Sequence, residues 1–496
     1  MFAARITRPV LALRLRSLRT LAWAFFWLSL PVTSFPFFPA DFGGKALVRP
    51  LSIYPLVVLL VLVTFPRLWR KPLPKTFLPL LAFMLVVLIS SLLSLSSEPT
   101  TLMGVTQSAR LVRNLLTLLI GAAFFMTISL YIESREDLHS SLRWLYAGFA
   151  IALIWGTFQA VYILDFSQDY FRFLNKIQAF ISTRKLFTTR ISGMTYEPKW
   201  FAEQICFLLM PWLIGCVLSG KSVFAWRFKR LSVEMILLFW SAAVMIFTFS
   251  RTGILILVLL TFISIIYYGL RSAARSKEGS TVNKRTGRTL VQAVLAVVVL
   301  LALILATGTR NPYFSRFWRY WTSESIENRT YFEYIGASQR IIYLVTAYHI
   351  YSDNPLFGVG PGNYAFKFIE YAPNQPYHRQ PEIVRQLTPS EGRDRLITPK
   401  NLYARLLAET GLVGTAVFTA FVMAVAGCAL SLWRSIDPWR RAWGLSGLLG
   451  MFVFAIALWS FDSFAIPNMW VMFGLITAAA HMAKDTAGTN SASECV

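Results

Sequence analysis

Histidine and cysteine are both scarce in this chain of 496 residues, with four of each. Cys206, Cys216 and Cys428 lie inside apolar runs and Cys495 in the tail, so neither a disulfide framework nor a thiolate metal site is expected. His139, His349, His378 and His481 are too scattered for a histidine metal site, and no cofactor is expected. Acidic residues are short as well: 24 Asp and Glu stand against 48 Lys and Arg, a net charge of +24. A nucleic-acid-binding protein would gather such an excess on one folded face. Here most of the cations sit in short links between apolar runs, the positive-inside pattern of a membrane protein, and no nucleic-acid partner is expected.

What the chain has in abundance is apolar length. At 56% hydrophobic residues and 15% charged, with a mean hydropathy of +0.54, it carries more apolar side chains than one water-soluble core can use. The sequence predicts an all-α polytopic membrane protein with about twelve transmembrane helices. The windows are 21–37, 51–65, 77–95, 111–132, 144–164, 201–219, 233–249, 254–270, 290–307, 402–433, 443–461 and 469–482. The basic N-terminus could be read as a secretion signal, but the apolar run continues through SFPFFPADFGG without a small-residue cleavage site, so it is expected to be a retained first span.

The basic links fix an orientation. The N-terminal arm, Arg67/Arg70/Lys71/Lys75, Lys221/Arg227/Lys229/Arg230, the run from Arg271 to Arg288, and Arg434/Arg440/Arg441 all fall on one side if every window spans, and that side is expected to be cytoplasmic. Both termini are then cytoplasmic. The expected organisation is a basic arm (1–20), helices one to nine (21–307), a large periplasmic loop with short helices (308–401), helices ten to twelve (402–484) and a disordered polar tail (485–496). The link at Arg110 and Arg113, the loop 165–200, the SRTG turn at Ser250 to Gly253 and the turn near Asp462 share the outer side. The cytoplasmic links leave no room for a soluble enzyme domain, so chemistry is expected outside.

Arg251 is the sharpest single feature, an arginine in a very short turn between two long apolar runs. A charge at that depth is paired or functional, unless it merely snorkels to headgroups. Ser250, Thr252 and Gly253 leave room for a phosphate to approach the backbone. Arg190, in TTRISGMTYEPKWFAEQ, borders the sixth span on the same face, with Glu197 as a possible counter-charge; the bland alternative is an exposed loop arginine. Two such arginines can clamp a pyrophosphate. In the long loop, Gln339 to Tyr351 has helical spacing with Arg340 at its start and Asp353-Asn354-Pro355 as its stop. FGVGPGNY follows; it lacks a P-loop ending, and Gly358, Gly360 and Gly362 read as a backbone turn. NPYFSRFWRYW, with Arg316 and Arg319, suits an interfacial belt or a sugar-binding surface. At the loop's return to the membrane, Lys400 flanks the tenth span, Asn401 is positioned to cap it, and Glu409 lies four residues beyond Arg405, a spacing that favours helix pairing over catalysis.

Taken together, RxSGxxxEPxxFA, the SRTG turn, the arginine-led helix running into DNPLFGVGPGNY, and NLYxxLLAETGLVG resemble the O-antigen ligase and polysaccharide polymerase superfamily of bacterial envelope enzymes, over roughly residues 190–414. The resemblance implies a metal-independent glycosyltransferase in the bacterial inner membrane, active on the periplasmic face. Its donor would be a glycan on undecaprenyl pyrophosphate and its acceptor a lipid or another glycan. It further implies that Arg190 and Arg251 bind the donor pyrophosphate and that Arg340 matches the arginine opening the loop helix. Ligases of this kind carry a histidine just before Asn-Leu-Tyr, thought to activate the acceptor hydroxyl; Lys400 stands there in this chain. Lys400 as base, replacement by His378 or Glu409, and a phosphate-binding role for Lys400 all stay open, as does polymerase in place of ligase. A transporter is the reading from another class, but it should show ionisable residues or broken helices near mid-span and some internal repeat, whereas here the charges gather at the outer ends and no repeat is seen. A cell-wall scaffold or regulator with lost chemistry is a third, kept open by Lys400.

Overall fold

Apolar runs of this length have one economical solution in a bilayer, the helix, which satisfies its backbone polar groups within itself. The computed structural model, which describes residues 17–38, 48–95, 101–229, 231–274, 279–322, 330–372, 380–388 and 396–493, is built of helices with only two minimal hairpin ladders among the described residues. Helix α1 covers residues 17–29, followed by α2 (Ile53–Leu68), α3 (Phe77–Ser94), α4 (Gln107–Tyr131) and α5 (Arg135–Leu164). A separate amphipathic helix, α6 (Gln168–Ile181), precedes α7 (Pro198–Ser219), α8 (Val233–Ile246), α9 (Arg251–Ala274) and α10 (Gly279–Thr309). A cap of short helices comes next: α11 (Pro312–Arg319), α12 (Tyr331–Tyr334), α13 (Ser338–Asp353), α14 (Tyr364–Tyr371) and α15 (Pro381–Leu387). The chain closes with α16 (Leu402–Trp433), α17 (Pro438–Ala457) and α18 (Asn468–Ser493).

Each of the twelve expected windows falls on one of these helices, and seven helices among the described residues are long and apolar enough to cross a membrane. The most enclosed is α7, with 83% of its apolar window buried, so the segment carrying Arg190 leads directly into the centre of the bundle. Aromatic rings knit the layers around it: Trp23 stacks on Tyr131 with centroids 3.7 Å apart, and Phe421 meets both Trp470 and Phe473. Two π-helical segments, Leu60–Thr64 and Ile205–Leu209, each precede a proline, Pro66 and Pro211, whose missing N–H loosens the helical ladder one turn earlier.

Four details differ from the sequence reading. The first helix stops at residue 29 instead of 37, because Pro31 and Pro36 cannot continue it and the chain instead pairs Phe35 and Thr33 with Arg49. The bend expected at Ser250 to Gly253 lies one step earlier: Phe249 takes the left-handed φ of +47°, Ser250 accepts the Gly253 N–H on its hydroxyl, and Arg251 is the first residue of α9. Arg110 and Arg113, expected in a link, occupy the first turns of α4. The polar tail is helical up to Ser493, since extending an existing helix needs no new nucleation.

Candidate functional site

Helix α11 begins at Asn311, which accepts the N–H groups of Tyr313 and Phe314 and donates its own amide to the Thr189 carbonyl, 2.6 Å away. That bond draws the loop before α7 onto the cap. As a result the Arg190 guanidinium lies over the Tyr313 ring, 4.0 Å from its centroid, and also near Phe187 at 5.2 Å. Arg251, from the start of α9, lies 4.4 Å over Phe317 of the same cap helix. Tyr313 and Arg316 act electrostatically on both Arg190 and Arg251, and Arg340 acts on Arg251 as well. The structure therefore brings all three arginines singled out in the sequence to one end of the bundle.

Backbone carbonyls fix two of these guanidiniums. Arg251 donates to the Ile335 carbonyl at 3.0 Å, and Arg316 to the adjoining Tyr334 carbonyl at 2.8 Å, so both forks are aimed by the same turn after α12. The Nε atoms of Arg190 and Arg251 are buried without a hydrogen-bond partner. Burial lowers the Arg190 guanidinium below its ordinary value, with Tyr313 and Glu197 working against that trend. Glu197, expected beside Arg190, forms its ion pair with Arg184 at 2.9 Å. Gln159 fixes the bend between them: its side-chain oxygen accepts the Ser192 and Gly193 N–H groups while its amide donates to the Gly193 carbonyl. The cluster thus gathers guanidiniums on aromatic faces with few carboxylates beside them, a chemistry suited to an anion.

A second polar cluster lies where the cap re-enters the bundle. Lys400 has a left-handed φ of +57°, and its N–H donates to Asp462 Oδ2 at 2.9 Å. Asn401 caps α16 by accepting the Ala404 N–H, as its position in the sequence predicts. The buried Arg405 bonds Glu409 Oε2 at 2.9 Å, the Asp462 carbonyl at 2.5 Å and Asn114 Oδ1 at 2.7 Å. Glu409 is thus engaged as a helix partner of Arg405. Burial pushes the Asp462 carboxyl up, but Lys400 and Arg405 outweigh it and hold the group below the ordinary carboxylate value. His378 lies outside the described residues. The two clusters meet at Ser460, whose carbonyl accepts the Lys199 ammonium and whose hydroxyl lies 2.9 Å from that of Thr252.

The glycines of FGVGPG do more than turn the chain. Inside α16, Gly411 has φ +64° and ψ −165°, which breaks the helical ladder between Ala408 and Val413. The loop replaces what is lost: Val359 and Gly360 donate to the carbonyls of Ala408 and Glu409, while Leu412 and Val413 donate to those of Pro355 and Leu356. Ser90 of α3 adds its hydroxyl to Phe357 and Glu409 carbonyls. A Cβ on Gly358 would stand 2.5 Å from the Glu409 carbonyl carbon, and one on Gly411 would stand 2.3 Å from the Leu356 oxygen. Gly360 and Gly362 approach Ser94 and Asn114 as closely. The two sequence motifs are halves of one unit. Beside it a cavity of about 670 Å³ opens between Leu93, Gln107, Phe357 and Phe366, sharing no residue with either charged cluster.

Sequence reasoning missed Arg316, Arg184 and Tyr313 as members of the arginine site. For Tyr313 and Arg316 the signal was the aromatic-basic string NPYFSRFWRYW, which reads equally well as an interfacial belt; Arg184 lies outside it.

Residues 236–419, from α8 through the broken half of α16, match the family model described as O-antigen ligase. The match bears out the resemblance carried by the motifs. It contains Arg251, Arg340, the glycine loop, Lys400 and Glu409. No curated protein matches the chain.

Proposed function

We propose, from the premise that residues 236–419 belong with the O-antigen ligases, that this protein transfers a glycan from an undecaprenyl-pyrophosphate carrier to an acceptor hydroxyl at the cap end of its bundle. We read that end as the periplasmic face of a bacterial inner membrane, with twelve spans, residues 308–401 outside and both termini in the cytoplasm.

The observation that carries this reading is the convergence of Arg190, Arg251 and Arg316 on the Tyr313 side of α11, with Arg340 in electrostatic reach and Glu197 already taken by Arg184. Like charges gathered this closely repel, and a bound pyrophosphate removes the repulsion. In the reaction the acceptor oxygen attacks the anomeric carbon, the bond from that carbon to the pyrophosphate oxygen breaks, and its electron pair leaves with the carrier. The arginines, already oriented by the Tyr334 and Ile335 carbonyls, stabilise the charge developing there without reorganising. The acceptor's proton needs a base. Lys400 is our candidate, in its neutral amine form, which alone can take a proton. It lies at the cap's return to the bundle, linked through Asp462 and Ser460 to the Arg251 turn, with His378 as the alternative, and Glu409 we read as structural.

The test is glycan analysis of cells whose own copy carries Arg251→Ala at normal protein level. Long glycan stranded on the carrier identifies a ligase. Single repeats on the carrier with the ladder gone identify a polymerase. Unchanged pools overturn the pyrophosphate site.

A further inference from the structure

The amphipathic helix α6 is wider in its apolar face than the protein covers. Leu174 and Gln178 are buried, and Leu174 packs with Trp155, Tyr162 and Leu186. The adjoining stripe, Phe173, Ile177 and Phe180, repeats at helical spacing yet is 57%, 36% and 67% exposed. Arg172 and Lys176 lie on the flank beyond it.

We propose that α6 lies flat in the membrane interface at the cap end, with Phe173, Ile177 and Phe180 sunk among lipid chains and Arg172 and Lys176 at the headgroups. The occupant follows from continuity. The Tyr170 hydroxyl bonds the Phe158 carbonyl at 3.1 Å, folding α6 back on the last turns of α5. Those turns expose Phe158, Val161 and Leu164, which belong to a span of 30 residues and therefore face lipid. Their surface runs on through exposed Phe166 into the α6 stripe, and Phe180 meets the exposed Phe37, 6.3 Å between centroids. An apolar surface that starts on a spanning helix and resumes on α6 past the exposed Asp165 and Asp169 ends in the same lipid. A surface helix with an apolar face and basic flank sits at such a boundary, its apolar side some ~5–10 Å into the headgroup and acyl region.

The seating has a consequence that rests on the donor reading. Asn175 accepts the Leu186 N–H at 2.8 Å, Gln178 accepts those of Ser182 and Trp155, and Tyr162 bonds the Phe187 carbonyl. The segment carrying Arg184 and Arg190 is therefore tied to α6 at Asn175 and to the end of α5 at Tyr162. Anchoring α6 at the interface sets Arg190 at headgroup depth, the level of a lipid-borne pyrophosphate.

The experiment places single nitroxide-labelled cysteines at positions 169, 172, 173, 176, 177 and 180 of the full chain, with Cys206, Cys216, Cys428 and Cys495 replaced. The protein is reconstituted in phosphatidylcholine and phosphatidylglycerol vesicles. Collision rates with oxygen, which partitions into lipid, and with a water-soluble nickel chelate are then compared. The oxygen-to-nickel ratio is expected to be severalfold higher at 173, 177 and 180 than at 172 and 176. Equal ratios at all six sites overturn the proposal, as does suppression of both rates at 173, 177 and 180, which would put a second copy or another protein there. Quenching of a fluorophore at 173 or 180 by chain-brominated lipid gives an independent readout, and its absence overturns the proposal too. Neither readout depends on glycan transfer, so the lipid seating and the donor reading can fail separately.

Discussion

The hydroxyl of Thr252, one residue beyond Arg251, donates to the hydroxyl of Ser460 at 2.9 Å, two residues before Asp462. This contact joins the turn that aims Arg251, the arginine proposed to bind the donor, to the turn that holds Lys400. A single hydrogen bond of this kind is worth roughly 1 kcal/mol, about fivefold in rate. Thr252→Val and Ser460→Ala are each expected to slow transfer by that factor, and the double variant by no more than either alone. Steady-state transfer in proteoliposomes checks this, and additive losses would show that the contact does not couple the turns.

Arg190 rests on a ring instead of a carboxylate, so shape matters as much as charge. Arg190→Lys keeps the charge but loses the planar stack on Tyr313 and, on the proposed donor reading, the two-pronged grip that a guanidinium can offer a phosphate. Both Arg190→Lys and Arg190→Ala are expected to lower kcat/KM for the lipid-linked donor by about 10²–10³-fold, the usual scale for losing one charge-stabilising group. Arg184→Ala, which releases Glu197 toward Arg190, is expected to weaken donor binding by a smaller factor. Donor titration with the purified variants separates the three.

Glu409 offers a clean distinction between a base and a brace. Removing one partner of a buried ion pair costs roughly 3–5 kcal/mol. Glu409→Gln is therefore expected to melt well below the parent in detergent, while the transfer rate per folded molecule stays within about twofold, a change of only ~0.4 kcal/mol. Arg405→Met combined with Glu409→Leu should recover much of the lost stability. A variant that melts normally but transfers slowly would make Glu409 part of the chemistry.

Asp462 gives a pH signature. Its carboxyl is depressed in the folded protein, so its contribution to stability is present above the unfolded value near ~3.9 and is lost as pH falls through the lower folded value. Asp462→Asn is expected to melt lower than the parent at pH 7, with the gap narrowing as pH drops toward 3. Melting curves across that range decide it, and a gap independent of pH would remove the carboxylate as its source.

Much of this was legible because it was local. The spacing from Gln339 to Tyr351 predicts the helix observed at Ser338–Asp353, the Asn401 cap follows from residue type, and the Arg405–Glu409 pair follows from one helical turn. The glycines were only half legible. Their positive φ angles are a local property, but their partner is a break in a helix some fifty residues later, and nothing in FGVGPG announces it. Arg190 and Glu197 were near in sequence and were read as partners; Arg184 won the carboxylate because Gln159 pins the bend between them. Arg316 became visible only when Asn311 tied the cap to Thr189.

The exchange of backbone bonds between residues 355–360 and 408–413 also bears on engineering. A cap taken from a relative and grafted between α10 and α16 would arrive without the broken helix it was shaped to mend, and the host's own break would be left with unmatched carbonyls. Specificity-swapping chimaeras should therefore cross over beyond residue 413, carrying the first turns of α16 along with the cap. Crossovers at the apparent end of the loop, near residue 401, should yield chains that fail to mature.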